Sequence, residues 1–284
     1  MRLWMALAIA GIAMIIGVIW LIGCVRDRPG EPHDQEIVLD PLTPGSSAGT
    51  AADTGRYDPS AATSADVLPA EDVPSALPPR GSWTIADRTS QCGQAARGRL
   101  KAWFDKARLP YPPAKVAIIV LKDVKVLELR AAGTDGSWRL VRKYRIKAAS
   151  GKAGPKLREG DMQVPEGVYA VESLNPNSRY HLALRVNYPS DFDRRMARQD
   201  GRTRLGGDIM IHGSDRSVGC MAMGDAASED LFVLAADVGI HNVKVIIAPT
   251  DLRQTHRVNV TSEATWLTEL YLTVRAEMMA VSPR

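Results

Sequence analysis

Apolar and polar residues follow different patterns along the chain, and these patterns divide it into three segments. Residues 3–25 are an uninterrupted uncharged run of 23 residues, which is long enough to cross a bilayer as a helix. Residues 26–80 show no sustained apolar period. From residue 81 onward, short periodic stretches follow one another and predict a folded part.

The folded part is predicted to contain many short strands and a few helices. Apolar residues spaced by three or four positions predict helices over 89–108, 225–236 and 262–279, with a short charged helix or loop over 191–199. Apolar runs and alternations predict strands over 116–121, 124–129, 138–146, 168–171, 180–186 and 243–248. Because strands and helices do not alternate regularly, we expect a mainly β or α+β domain.

The N-terminal run predicts an attachment to a membrane. It follows Arg2, and its two ends carry Trp4 and Trp20, aromatic residues that favour the headgroup region. We expect an uncleaved anchor; a cleaved signal has similar flanks but a shorter apolar core. Residues 21–24 also resemble a lipobox, in which Cys24 would be acylated. Anchor and lipoprotein both place a tethered domain outside the cytoplasmic membrane.

Charge separates the linker from the domain that follows it. Residues 25–80 hold ten acidic and four basic residues and nine of the chain's 18 prolines, a composition that predicts disorder. Since the whole chain carries +4 and Arg2 adds +1, a linker balance of −6 leaves +9 for residues 81–284. This excess suits an anionic polymer or surface, although solubility alone would also explain it. We expect no nucleic-acid partner.

The candidate chemistry lies between His212 and Cys220. A thiol near its ordinary pKa is mostly protonated at neutral pH, so an attacking cysteine needs a neighbouring base. Gly213 and Gly219 flank the intervening loop and permit unusual backbone angles. The backbone amides of Val218, Gly219 and Cys220 could converge as an oxyanion hole.

Two other interpretations of the same residues stay open. Cys220 could be a small buried apolar residue and His212 a hydrogen-bonded loop residue. A zinc site completed by His181 or His241 is also conceivable, but the familiar ligand spacings are absent from the sequence, and we expect no metal. With only Cys24, Cys92 and Cys220 present, a disulfide framework is not expected.

Several ordered motifs resemble one enzyme family. Residues 211–213 and 217–220 resemble the active-site signature of the L,D-transpeptidase (YkuD) domain, and in particular of its YafK-like branch. Residues 154–161, 165–169, 174–178 and 187–189 match the branch in order and spacing. The resemblance covers residues 115–254. Together with the hydropathy and composition described above, it divides the chain into an anchor or lipoprotein signal (1–25), a disordered linker (26–80), a helical extension (81–114), the catalytic domain (115–254) and a C-terminal helix (255–284).

The resemblance implies a fold, a reaction and a compartment. The fold is a β-rich, partly barrel-like sandwich with short helices. Cys220 is the nucleophile, His212 is its general base, and the Gly213 carbonyl orients the imidazole; no cofactor is required. The substrate is a peptidoglycan tetrapeptide stem, which becomes a thioester and passes to an amine on the periplasmic side of the bacterial envelope. A wall-linked protein is a further possible partner.

Contacts with substrate and the outcome of the reaction are less specified. Lys156, Arg158 and Ser217 are candidates for binding the stem peptide. The wider family has a second histidine before the Gly-Cys pair and an arginine or asparagine two residues after the cysteine. Here these positions hold Val218 and Ala222, as in the YafK-like branch. Transfer, hydrolysis of cross-links or protein links by the same fold, and a non-catalytic wall-binding module therefore remain as alternatives.

Overall fold

A nine-stranded mixed sheet frames the domain in the computed structural model, which describes residues 33–39 and 81–283. Its strands are β2 (Lys115–Leu121), β3 (Val126–Ala132), β4 (Trp138–Arg145), β5 (Ala148–Ala149), β6 (Gly167–Ser178), β7 (His181–Val186), β8 (Met210–His212), β9 (Met221–Ala222) and β10 (Val243–Ala248). β1 (His33–Val38) and β11 (Arg257–Ser262) form a separate pair. The strand order across the large sheet is β4-β3-β2-β10-β6-β7-β8-β9-β5. The pairs β2–β10 and β8–β9 are parallel.

The central strands are buried on both faces, which explains their continuous apolar sequences. The helices are α1 (Ile85–Gln91), α2 (Gly93–Lys106), α3 (Asp191–Gln199), α4 (Asp225–Val238) and α5 (Leu267–Ala280). Ile118 of β2 packs in a core on one face, together with α2 and α4, whereas Ile119 packs in a second core on the other face with α5. This mixed, β-rich sheet with few helices agrees with the expected fold class.

Local hydrogen bonds set where two of the helices begin. Thr84 and Asp87 form a capping box at the start of α1, and Ser190 and Asp193 do the same for α3. The predicted helix over 89–108 is instead two helices that meet at Cys92. The segment over 191–199, for which the sequence allowed either a helix or a loop, is a helix.

Two sequence-based boundaries are wrong. A short strand was expected over 168–171, followed by a turn, but β6 runs from Gly167 to Ser178, because the backbone pairing with β7 continues past Leu174. Residues 33–39, expected to be disordered linker, form β1 and the residue after it. β1 pairs antiparallel with β11, and Ile37 and Leu39 are buried in the second core. This segment contains only three consecutive apolar residues, which is too few for hydrophobic periodicity to predict a strand.

The predicted membrane attachment lies outside the described residues. This includes the run over 3–25 and Cys24, as well as residues 40–80 of the linker. Within residues 33–39 and 81–283, no helix has the length and hydropathy needed to span a bilayer. The expected C-terminal helix over 255–284 is preceded by β11, and α5 occupies only Leu267–Ala280.

A buried polar cluster joins α5 to the loop over 151–166. Lys122 Nζ contacts Glu166 Oε1 at 2.8 Å and donates to the carbonyls of Gly154 and Val164. The other carboxylate oxygen of Glu166 accepts from Tyr271 Oη at 2.7 Å. Since Lys122, Glu166 and Tyr271 have almost no solvent exposure, these contacts hold one end of the loop firmly against the sheet.

Candidate active site

Two short parallel strands, β8 and β9, carry His212 and the residue that follows Cys220. β8 and β9 pair with Ile211 opposite Met221 and His212 opposite Ala222. Cys220 directly precedes β9, and its thiol contacts the backbone that leads into β8. Because neighbouring strands lie about 4.8 Å apart, the parallel pairing keeps the two residues in one region of the sheet. A single extended strand over residues 212–220 would hold them far apart.

The His212 imidazole is held by one hydrogen bond and one ring contact. Its Nδ1 lies 2.6 Å from the Gly213 carbonyl oxygen, so Nδ1 is the protonated nitrogen and Nε2 carries the lone pair. The Tyr180 ring stacks on the imidazole with centroids 4.8 Å apart. Burial lowers the pKa of His212, against a smaller raising effect of the Gly213 hydrogen bond. His212 is therefore a neutral base at neutral pH.

The Cys220 thiol is half-buried at the edge of the same pair of strands. Its Sγ donates to the Asp208 carbonyl oxygen at 3.4 Å. Burial raises the pKa of Cys220; a backbone hydrogen bond from Met210 opposes this, the Asp208 charge adds to it, and the Lys156 charge opposes it. Burial thus favours the neutral thiol of Cys220 as it favours the neutral imidazole of His212.

The loop after His212 is packed too closely to accept a side chain at Gly213. A Cβ there would lie 2.6 Å from Asp225 Oδ1 and 2.8 Å from the Tyr180 carbonyl oxygen. The next amide, Ser214 N–H, donates to the same Asp225 oxygen at 2.8 Å. The start of α4 therefore fixes the turn that carries the Gly213 carbonyl to the imidazole.

The three amides proposed for an oxyanion hole are partly engaged. Gly219 N–H donates to Ser150 Oγ, and Cys220 N–H donates to Ser217 Oγ at 3.0 Å. Val218 exposes its side chain at the loop surface. An oxyanion in this position would have to displace these hydroxyl groups or accept hydrogen bonds from them. The Ser217 hydroxyl also donates to the Cys220 carbonyl, so it contacts the cysteine backbone on both sides.

The two basic residues predicted to contact substrate have different environments. Lys156 is buried, and its Nζ contacts Asp161 Oδ1 at 2.6 Å and the Arg158 carbonyl at 2.9 Å. It acts on the site through its charge, which lowers the pKa of Cys220. Arg158 is exposed on the same loop. A substrate could contact the Arg158 side chain with the loop as it stands. Contact with the Lys156 ammonium group would require the loop to rearrange.

Sequence reasoning did not single out Ser150, Tyr180 or Asp208 as parts of the site. Ser150 lies 70 positions before Cys220, and no local pattern connects them. Alternation along the predicted strand over 180–186 does not show whether Tyr180 or His181 points inward, so the sequence assigns Tyr180 no role. In the sequence, Asp208 is simply the polar residue at the start of the short apolar run that leads to His212, and nothing in that pattern indicates a contact with Cys220.

The other candidate ligands for a metal are engaged elsewhere. His181 Nε2 lies 3.0 Å from Glu229 Oε1, and His241 Nε2 lies 3.1 Å from Asn242 Nδ2. Across the described part of the chain, no group of three histidine, cysteine or acidic side chains is arranged to hold a metal ion.

Residues 115–247, which contain the whole His212–Cys220 arrangement, match the model of one known family, the L,D-transpeptidase catalytic domain, YkuD. This domain belongs to the YkuD family. Over 139 residues the chain is 33% identical to the "Putative L,D-transpeptidase YafK" of Escherichia coli K12, and the match covers 47% of this chain and 54% of the relative. The protein of that name in Escherichia coli O157:H7 matches equally. The YkuD family and its YafK-like branch, inferred from the motifs, are thereby confirmed.

The chain spans about half the length of the curated relatives that it matches. Among solved structures, the helical cell shape determining protein Pgp2 from Campylobacter jejuni aligns with a TM-score of 0.39 and 20% identity, covering 63% of each chain. Bd1075 of Bdellovibrio bacteriovorus aligns with a TM-score of 0.36 and 18% identity, covering 60% of this chain and 56% of that one.

Proposed function

We propose that the YkuD domain of this chain is a cysteine-dependent acyltransferase that acts on peptidoglycan stem peptides. The observation that carries the proposal is that His212 ends β8 while Cys220 directly precedes its parallel partner β9, with His212 Nδ1 hydrogen-bonded to the Gly213 carbonyl. That bond leaves Nε2 as the basic nitrogen of the pair. Membership of the YkuD family and the likeness to YafK point to the cell wall as the source of the substrate.

The first half of the reaction forms a thioester. His212 Nε2 takes the thiol proton as Cys220 Sγ attacks the carbonyl carbon of a stem-peptide bond. A C–S bond forms and the carbonyl electrons move to an oxyanion, which the amides of Val218, Gly219 and Cys220 would stabilise. The oxyanion then collapses, the C–N bond breaks, and the proton on His212 passes to the departing amine of D-alanine.

The second half releases the acyl group. An amine attacks the thioester carbonyl, gives its proton to His212, and displaces the Cys220 thiolate, which recovers the proton. Hydrolysis of a peptidoglycan cross-link or of a protein–peptidoglycan link requires that the amine of that link, instead of D-alanine, departs in the first half, after which water attacks the thioester and releases a free carboxylate. The acyl-enzyme is common to both outcomes, and relative access of amine and water decides between them.

This function requires the domain to meet the wall on the periplasmic side of the cytoplasmic membrane. Attachment through residues 3–25, or through a lipid on Cys24, would keep it there, and a wall-linked protein could supply or accept the acyl group. The net charge of +9 on residues 81–284 suits the carboxylate-rich wall polymer.

The test uses the full-length chain with isolated cell walls. Wild type should form a covalent adduct at Cys220 with a carbapenem-type β-lactam and should change the stem-peptide composition of the walls. Cys220→Ala and His212→Ala should lose both activities, whereas Cys92→Ala, which removes the other thiol of the described domain, should keep them. New cross-links indicate transfer, and new free ends indicate hydrolysis. Wall binding without any chemistry, retained after loss of His212 and Cys220, would instead identify a binding module.

A further inference from the structure

A cavity of about 460 Å³ lies between the N-terminal helical extension and the tip of the β6–β7 hairpin. Its lining comprises Gly81, Trp83, Arg88, Asn177, Ser178, Arg179 and His181. Gly81, Trp83 and Arg88 precede the YkuD domain, which starts at residue 115. The cavity is therefore built jointly by the domain and by a segment that this chain adds to it.

The chemistry of the lining favours an anion. Two guanidinium groups face the cavity, and none of its described lining residues carries a carboxylate. Guanidinium groups pair with carboxylates through two parallel hydrogen bonds. Ser178 Oγ accepts from Tyr180 N–H, which leaves the hydroxyl proton available to a ligand. The cavity thus offers two positive charges and one neutral donor.

The two arginines differ in how they are held. Arg88 stacks on the Trp83 ring at 4.2 Å, and its Nε donates to the Pro176 carbonyl at 2.9 Å. Its Nη1 donates to Gln91 Oε1 at 2.8 Å, so Nη2 is the nitrogen left for a ligand. Arg88 ties the extension to the hairpin. Arg179 is exposed at the hairpin tip, and among the described residues no carboxylate forms an ion pair with it. Arg179 is the charge that a ligand can recruit without breaking an existing contact.

The cavity and the candidate active site lie on either side of the hairpin tip. Tyr180, between the two lining residues Arg179 and His181, stacks on His212. Since consecutive Cα atoms lie about 3.8 Å apart, the backbone of Arg179 directly adjoins that of the residue that stacks on the imidazole. A peptide that passes over the hairpin tip therefore lies next to both the cavity and His212.

We propose that this cavity is a carboxylate subsite, in which Arg179 and Arg88 bind a non-terminal carboxylate of the stem peptide whose carbonyl Cys220 attacks. The subsite rests on the proposed function for the identity of the peptide. It explains why residues outside the family domain pack against the β6–β7 hairpin beside the site. Arg179 supplies binding energy for a remote part of the substrate and does not take part in the chemistry.

The experiment measures binding and turnover separately, on the full-length chain. Binding of a soluble tetrapeptide stem is measured by calorimetry in the Cys220→Ala background, with the non-terminal carboxylates of the peptide free or amidated. Arg179→Ala should weaken binding of the free peptide about tenfold, as expected for one charge-assisted hydrogen-bonding contact, and should leave the amidated peptide unchanged. Arg179→Lys should recover part of the loss. Arg198→Ala, in the last turn of α3 and outside the cavity lining, removes one exposed arginine in the same way and should have no effect.

In turnover, Arg179→Ala should raise KM and leave kcat nearly unchanged, because a remote contact serves ground state and transition state alike. Equal effects of Arg179→Ala on the two peptides, or no effect on either, would overturn the subsite, as would a free peptide that fails to bind. Failure of the proposed function looks different: wild type would form no acyl-enzyme, while the carboxylate-dependent binding through Arg179 would persist.

Discussion

Tyr180 covers one face of the His212 imidazole, with ring centroids 4.8 Å apart and ring planes inclined by 24°. The contact excludes water from the base of the proposed catalytic pair, and burial is the main cause of the lowered pKa of His212. Tyr180 lies at the tip of the β6–β7 hairpin, so the hairpin controls the environment of the imidazole as well as the wall of the neighbouring cavity.

Removing the Tyr180 ring should raise the pKa of His212 toward its ordinary value. Burial disfavours the charged imidazolium, so exposing the ring to water allows protonation at higher pH. In Tyr180→Ala, the His212 titration followed by NMR should move upward, and the fraction of neutral base at mildly acidic pH should fall. Tyr180→Phe keeps the stacked ring and should titrate like wild type. A His212 titration that is identical in the alanine variant would contradict this account.

The charge of Asp208 should slow the reaction of Cys220 with an electrophile. Its carboxylate raises the pKa of Cys220, so Asp208→Asn should lower that pKa and increase thiolate at a given pH. In a Cys92→Ala background, the midpoint of the pH dependence of alkylation by iodoacetamide should move down by less than about one pH unit. Asparagine also tolerates the positive φ of 55° at this position.

Lys156→Gln should move the same alkylation midpoint in the opposite direction, because the lysine charge lowers the pKa of Cys220. Glu172→Gln is the control, since Glu172 contacts the same Arg185 as Asp208 does but is not among the groups that perturb Cys220. Shifts of equal sign in the two test variants would show that the electrostatic explanation is wrong.

A methyl group at position 213 should destabilise the domain. In Gly213→Ala, the new Cβ would meet Asp225 Oδ1 and the Tyr180 carbonyl at 2.6 and 2.8 Å, and such overpacking costs about 1–3 kcal/mol. Gly207→Ala is the matched control because a Cβ there meets nothing within 4 Å. Urea denaturation should show a lower free energy of unfolding for Gly213→Ala only. Equal stability of the two variants would mean that the turn relaxes without cost.

The Tyr271 hydroxyl should stabilise the docking of α5. It donates to the buried Glu166 carboxylate at 2.7 Å, and loss of a hydrogen bond to a buried charged group costs about 1.5–3 kcal/mol. Tyr271→Phe should therefore lower the free energy of unfolding by that amount. Leu272→Ala, one residue along the same helix and 40% exposed, should change it far less. The prediction fails if the two substitutions have the same effect in denaturant.

Local sequence was sufficient to predict much of the fold and to propose the candidate pair of His212 and Cys220. Ile118 and Ile119 stand in an apolar run long enough to indicate a buried strand, and α4 and α5 show their helical spacing directly. His212 and Cys220 were found because a thiol that attacks a carbonyl needs a base, and because motifs with fixed spacing accompany them. These features depend on residues that are near one another in the chain, or on the order of motifs along it.

Tertiary structure decided what depends on partners distant in sequence. β1 forms because its backbone pairs with β11, more than 200 residues later in the chain, and because Ile37 and Leu39 are buried in the second core. Ser150, Tyr180 and Asp208 reach the site only because β5, the β6–β7 hairpin and the approach to β8 meet around Cys220. The same hairpin brings Arg179 to Trp83 and Arg88. The sequence alone specifies which chemical groups the chain carries and how far apart they are along it. The pKa values and hydrogen-bonding partners of these groups depend on burial and on contacts between segments that are distant in sequence, and only the tertiary structure determines these.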